Sequence, residues 1–298
     1  MLSNFRGCLL GLAIGDALGR TVEGMSYEEI KNKYGFIDDY LGDEVEWTDD
    51  TEQALLLAES IASTIYFSPE DFANRLKNIP LSKLYGPTSS EAIKRLKMGY
   101  SWRESGVPSD TDGAAMRVAP MGLVYHFNYN LVEDYAVISS MVTHKGSAAI
   151  GGAVAVAIAI ACVINEDDRM IEEIIKRTEK YDSLLAEKIE YAYQIRNVSL
   201  EKAVNSLGNS IMAFDAVPLA FYCYFSSKTF EKAVTKAVNA GGDTDTIAAI
   251  TGAIKGAEVG KEGIPEKFKR IKNQEKIIEA ADKLYQVYLK ISSNLSSF

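Results

Sequence analysis

Two histidines, three cysteines and seven prolines are all that this chain of 298 residues holds of those types. So few histidines leave little material for a zinc site or a serine–histidine triad. Cys8, Cys162 and Cys223 sit in apolar surroundings without metal-ligand spacing, so they read as buried, reduced thiols of a cytoplasmic protein. No block of lysine or arginine stands out and the formal charge is −9, so nothing here is built to grip a nucleic-acid backbone. An anionic partner would instead need metal ions or backbone N–H groups. Strand patterns are scarce: Asn-Gly is missing, and the one Asp-Gly, Asp112–Gly113, lies in a small-residue segment and not between strands.

Long apolar runs are also few. Cys8 to Ile14, behind Arg6, imitates a signal peptide, but Asp16 follows at once and cleavage is not expected. Ala148 to Ile164 is an unbroken apolar run of 17 residues. It is rich in alanine and short for a bilayer that needs about 20 strongly apolar residues, so a buried core helix and no membrane partner are expected.

What is present is helix after helix. From Thr48 onward, Ala54, Leu55, Ala58, Ile61, Ala62 and Ile65 recur at the three- and four-residue spacing of a core-facing stripe. Ser68 before Pro69 and Asp71, Asn130 before Glu133, and Thr229 before Glu231 read as N-caps. Further helices are expected over about 170–179, 184–195, 214–226, 230–239, 244–258 and 274–292, with breaks at Pro80, Pro87 and Pro108. The tail Ser292–Phe298 is polar and reads as frayed. With 47% hydrophobic residues and no repeat, low-complexity tract or linker, the expectation is one all-α domain over residues 1–298.

Four polar clusters interrupt this pattern. Trp47-Thr48-Asp49-Asp50-Thr51-Glu52 opens an apolar helix. One such residue suffices for a cap, whereas two adjacent carboxylates repel unless a cation or a proton relieves them, so cap and metal ligand both remain open. Gly241-Gly242-Asp243-Thr244-Asp245-Thr246 opens another helix, and its glycines permit unusual backbone angles and close approach. Small residues behind it, Gly252, Ala253, Gly256 and Ala257, let that helix pack tightly against a neighbour.

The two clusters lie about 200 residues apart, and oxygen-only ligands select hard cations such as Mg²⁺ or Mn²⁺. Four carboxylates suit two ions about 3.5–4 Å apart. A third segment, Ser109-Asp110-Thr111-Asp112-Gly113-Ala114-Ala115, reads as a loop-to-helix joint capped by Asp112, or as N–H groups that cradle a phosphate. Arg117 beyond it is expected in an ion pair inside the fold. The fourth is Asp16 between Gly15 and Ala17, a carboxylate in an apolar helix that needs a cation or a nearby helix end. Glu23 reads as surface, His144 as a satisfied structural residue and His126 as packing.

Taken together, Gly15-Asp16-Ala17-Leu18-Gly19 with Glu23, Trp47-Thr48-Asp49-Asp50-Thr51, Gly113 to Pro120, Thr143-His144 and Gly241 to Thr246 resemble, in order, the motifs of ADP-ribosylglycohydrolases. The resemblance spans residues 5–258. It implies a compact orthogonal helical bundle, two Mg²⁺ or Mn²⁺ ions at a cleft, and an ADP-ribosylated protein or small molecule as substrate. Thr48, Asp49, Asp50, Asp243, Asp245 and Thr246 would be the metal ligands. Glu23 falls where the family has a glutamate at the metal centre, and Asp50 would orient the attacking water. Asp110, Asp112, Gly113, Ala114 and Ala115 match the diphosphate and ribose contact, with His144 and Gly242 alongside. The chain departs at Asp112, where many members carry asparagine, and the added charge would oppose a phosphate. Two rivals remain: a non-catalytic, crystallin-like relative and a two-metal phosphoesterase.

Overall fold

Caps and apolar stripes decide where the helices begin. In the computed structural model, which describes residues 1–43 and 45–295, sixteen α-helices follow one another. They are α1 Leu2–Gly19, α2 Tyr27–Tyr34, α3 Asp49–Thr64, α4 Pro69–Asn78, α5 Pro87–Lys97, α6 Trp102–Ser105, α7 Ala119–Val124 and α8 Tyr129–Met141. The second half holds α9 Ser147–Asn165, α10 Met170–Thr178, α11 Ser183–Gln194, α12 Leu200–Leu207, α13 Ala213–Phe225, α14 Phe230–Val238, α15 Thr244–Val259 and α16 Gln274–Leu295. The fold is all-α: the described residues form no strand, only isolated bridges between Val107 and His144 and between Thr111 and Met212.

The Ser68 and Thr229 hydroxyls cap α4 and α14 as their spacing predicts, accepting from the Asp71 and Lys232 amides. Asn130 does not cap α8. Asn128 does, its side-chain oxygen accepting from the amides of Asn130 and Leu131. Asn130 and Glu133 both turn instead to Arg177, because the buried Glu133 carboxylate needs charged partners and finds Arg177 at 2.6 Å and Lys180 at 2.9 Å. Pro87 opens α5 at its first turn, where its missing N–H costs nothing. The tail expected to fray stays helical through Leu295, and residues 296–298 lie outside the described residues. The short helices α2 and α12 lie outside those expected from the sequence, although Ser26 and Glu29 form a capping box on α2 and Leu200, Ala203, Val204 and Leu207 keep core-facing spacing on α12.

Two helices organise the core. α9 is long and apolar enough to pass as a membrane span by length and composition, and 78% of its most apolar window is buried inside the protein. Its neighbours α7, α8, α10, α13 and α15 supply that burial. The other is α1, which packs along α15 in antiparallel register through a ladder of small residues. A Cβ on Gly7, Gly11, Gly15 or Gly19 would stand 2.0–2.3 Å from the carbonyl oxygen of Gly256, Gly252, Ala248 or Thr244 respectively. Backbone meets backbone there, which only residues without side chains allow. The small face of α15 therefore has its partner in α1.

Candidate active site

The C-terminal end of α1 holds two helix starts at once. The buried Asp16 carboxylate accepts from the Thr48 amide at 3.0 and 2.9 Å, the Thr51 amide at 3.0 Å and the Thr51 hydroxyl at 2.5 Å. Asp16 thus meets a helix end, the first turn of α3. Three residues on, the Gly19 carbonyl accepts from Thr244 Oγ1 at 2.7 Å, fixing the first turn of α15. Gripped by one helix, the two starts face each other, and Thr246 Oγ1 donates to Asp50 Oδ2 at 2.9 Å across 196 residues of sequence.

A third arm comes from the loop after α1. Gly24 N–H donates to the Gly242 carbonyl and Gly242 N–H to the Met25 carbonyl, each at 2.8 Å. Gly241 and Gly242 adopt φ of +73° and +76°, and a Cβ on Gly242 would lie 1.9 Å from the Asn209 carbonyl oxygen. That clasp lays exposed Glu23 beside Asp243 and Asp245, with oxygens of all three carboxylates within 4.8 Å of one another.

Glu23, Asp49, Asp50, Asp112, Asp243 and Asp245 line one cleft of about 150 Å³, and no lysine or arginine lines it. Burial, reinforced by neighbouring carboxylates, raises the affinity of the five aspartates for protons. Burial and the charge of Asp16 push Asp49 up to about 7. Burial lifts Asp112 to about 8 and Asp16 to about 6, the latter against four hydrogen bonds that favour its anion. Asp50, Asp243 and Asp245 rise well above the usual carboxylate range, through burial and then through the charges of Asp245, Asp112 and Asp243 respectively. So many ionised carboxylates in one small cleft require protons or multivalent cations.

Of the residues singled out in the sequence, Asp49, Asp50, Thr246, Asp112, Gly113 and His144 also belong to the lining, whereas five others do not. Thr48 stands behind the cleft as the N-cap of α3, its hydroxyl accepting from the Asp50 amide at 3.4 Å. Asp110 turns away to cap α9, accepting from the Ala148 amide at 2.9 Å. Ala114 and Ala115 are buried in the core, and the Gly242 amide is spent on Met25. Asp112 is not a cap: Thr111 precedes the short 3₁₀ turn Asp112–Ala114, and the Asp112 carboxyl faces the cleft.

Arg117 meets neither a carboxylate nor the cleft. It donates to Gln53 Oε1 at 2.7 Å, the Ser139 carbonyl at 2.9 Å and Thr143 Oγ1 at 2.7 Å, and burial lowers its pKa to about 9. Gln53 in turn donates to Asp49 Oδ2 at 3.2 Å, so this buried pair fixes the Asp49 carboxylate from behind. His144 shares hydrogen bonds with Thr143 Oγ1 at 2.7 Å and Thr111 Oγ1 at 3.0 Å, and burial lowers its pKa to about 3, leaving it neutral. His126 packs on Tyr288, ring centroids 4.6 Å apart.

Sequence reasoning missed Thr88, Ser89 and Thr111, whose hydroxyls border the cleft, and exposed Leu84 and Ile211 at its rim. Thr111 lies inside the segment around Asp110 and Asp112 without a reading of its own, while residues 84–89 and Ile211 with its immediate neighbours include no charged residue. A larger depression of about 840 Å³ near His126–Asn130 and Asn165–Arg169 is an open trough whose Arg169 and Arg177 already pair with Asp167 and Glu133.

The chain is similar to known proteins along nearly its whole length. The ADP-ribosylglycohydrolase family profile matches residues 1–293. An uncharacterized protein of Archaeoglobus fulgidus is 56% identical over 98% of this chain and 99% of its own length. ADP-ribosylhydrolase ARH3 of Xenopus tropicalis is 30% identical over 97% of each chain. A solved structure described as an ADP-ribosylglycohydrolase-related protein complex superposes with a TM-score of 0.78 at 25% identity, over 96% of this chain and 98% of that one. With its two acidic helix starts held together by α1, this chain belongs to the ADP-ribosylglycohydrolase family.

Proposed function

We propose that the chain hydrolyses the N- or O-glycosidic bond of an ADP-ribosylated substrate with two divalent cations, Mg²⁺ or Mn²⁺. The observation that carries this reading is the meeting of Asp49 and Asp50 with Asp243, Asp245 and Glu23 in one cleft devoid of basic side chains.

The donor set fits hard cations. It is made of carboxylates and hydroxyls, no cysteine lines the cleft, and the only lining histidine has both ring nitrogens engaged by threonines. Asp49, Asp50, Thr246, Asp243, Asp245 and Glu23 would hold the ions, with Thr48 close behind. When bound, such a pair polarises substrate oxygens and makes a shared water more acidic.

The remaining work falls to the side chains. Asp50 Oδ2 is occupied by the Thr246 hydroxyl, which leaves Oδ1 to orient a water and take its proton as the water attacks the ribose C1″. Gln53 and Arg117 keep Asp49 from rotating away. Glu23, exposed on its loop, reaches the cluster from the solvent side and is placed to assist the leaving group. Gly113 lets the substrate loop approach His144, since a Cβ there would lie 2.7 Å from the imidazole Cε1. Leu84 and Ile211 offer an apolar rim to a base or ribose.

The test is a panel of arginine-linked, serine-linked and acetyl-ester ADP-ribose compounds, incubated with the protein and either metal, with free ADP-ribose as readout. Metal-dependent release of intact ADP-ribose is expected from at least one. AMP as the product, or binding without turnover on every member, would overturn the reading.

A further inference from the structure

Among the six carboxylates that line the cleft, Asp112 is the one with no explanation yet. Its backbone is pinned: the amide donates to the Ile211 carbonyl at 3.0 Å, and the carbonyl accepts from the Ala115 and Met116 amides at 2.8 and 3.1 Å. The side chain is 95% buried, being only 5% exposed, and lines the cavity. Its Oδ2 is sealed from solvent and has no hydrogen-bond partner.

No basic side chain answers this charge, because none lines the cleft. A polar neighbour in reach is itself acidic: the Asp112 and Asp243 carboxyls lie within hydrogen-bonding reach of each other, and the charges of Asp50 and Asp245 also act on Asp112. A buried carboxylate with a bare oxygen against a second carboxylate is among the costliest arrangements a protein can keep. A shared cation removes the cost. An asparagine at this position would avoid the repulsion.

We propose that Asp112 is a direct carboxylate ligand to a divalent cation that it shares with Asp243, additional to the trio of Glu23, Asp243 and Asp245. The assignment rests on the two-cation reading above. Asp243 is then common to two ligand groups, one reaching toward Glu23 and one toward the substrate loop. The loop bearing Gly113, which packs against His144, is thereby tied to the two cations. A phosphate approaching Asp112 would meet a neutralised carboxylate, which removes the conflict that the added charge creates on its own.

The experiment uses the full chain, stripped with a chelator, as wild type and as Asp112→Asn, an isosteric change. Mn²⁺ is titrated and free Mn²⁺ is counted by electron paramagnetic resonance, while the thermal midpoint is followed without and with metal. The wild type is expected to bind two Mn²⁺ ions, and D112N to bind one with similar affinity and the other at least tenfold more weakly. Metal-free D112N is expected to melt higher than the metal-free wild type, because a buried repulsion has been removed, yet to gain less from Mn²⁺. That opposite pair of shifts cannot come from a merely structural residue. Two ions bound by D112N with wild-type affinity would overturn the assignment and leave the two-cation reading standing. A wild type that binds no Mn²⁺ would overturn both.

Discussion

Replacing Gly15 by alanine tests whether α1 sets the geometry of the site. On helix propensity alone the change favours folding, since alanine in a helix interior is better than glycine by about 1 kcal/mol. Packing reverses the sign. The new Cβ would stand 2.0 Å from the Ala248 carbonyl oxygen and 2.3 Å from its carbon, against 3.4–4 Å for ordinary contact, and both obstacles are backbone. Relief therefore requires α1 and α15 to separate by more than 1 Å, by comparison of those distances. Overpacking of this kind costs about 1–3 kcal/mol.

The neighbouring residue adds to that. Asp16 holds the Thr48 and Thr51 amides at 2.9–3.0 Å, and a displacement of that size carries them out of hydrogen-bond range. Each hydrogen bond to a charged group contributes about 1.5–3 kcal/mol. The net expectation is a loss of at least about 3 kcal/mol in urea unfolding, with Mn²⁺ affinity falling at least tenfold because the two acidic helix starts no longer face each other. Gly42→Ala is the control: no atom lies within 4 Å of its added Cβ, and it should be neutral. A Gly15→Ala protein as stable as wild type, with unchanged Mn²⁺ affinity, would refute the spine role of α1.

Other outcomes follow from the same contacts. Gln53→Leu removes the acceptor of Arg117 Nη1 inside the core and frees Asp49, so about 3 kcal/mol of stability and a measurable part of the Mn²⁺ affinity should be lost together. If calorimetric titration shows unaltered Mn²⁺ binding, Gln53 does not orient Asp49. Mg²⁺ or Mn²⁺ at 100 times its dissociation constant should add about 2.7 kcal/mol per site and raise the thermal midpoint, and a chelator should return it; a midpoint indifferent to both would argue against any site. His144, lowered to about 3 by burial, stays neutral in the fold while the unfolded chain protonates near 6.5. Its unfolded form binds the extra proton, so its contribution is complete above pH 7 and falls as the pH drops. The stability difference between wild type and His144→Asn should shrink by about 2 kcal/mol from pH 7 to pH 5, and a pH-independent difference would contradict a neutral, buried imidazole.

How much of this was legible in the sequence depends on whether the deciding interaction is local. The caps at Ser68 and Thr229 and the helices α10, α11 and α13 to α16 stand close to where periodicity puts them, because a cap and an apolar stripe are properties of a few neighbouring residues. Asn128 and Asn130 show where locality ends. Both have a capping side chain, and the buried charge of Glu133 with its partner Arg177 decided which one was free to cap. Asp110 and Asp112 differ in the same way: the unpaired Ala148 amide at the start of α9, 38 residues on, draws Asp110 away and leaves Asp112 to the cleft. The lining from Leu84 to Ser89 and at Ile211 had no signal, since its residues are ordinary in kind and act only by position.

The convergence of the acidic clusters is a different case. Their separation of about 200 residues looks like a long-range accident, yet its cause is written in a short stretch of sequence. Gly7, Gly11, Gly15 and Gly19 recur every fourth residue, which aligns them on one helical face. A face without side chains admits another backbone at close range, and α15 offers the matching face at Thr244, Ala248, Gly252 and Gly256. Once that register is set, Thr244 must lie at Gly19, and Asp16 on the same last turn must reach whichever helix start has free amides, which is that of α3. Positions of the four key aspartates then follow from the two helix starts, with Glu23 brought in by the Gly241–Gly242 clasp. The ladder that closes the core is therefore the same object that assembles the acidic cleft, and a change that loosens one must loosen the other.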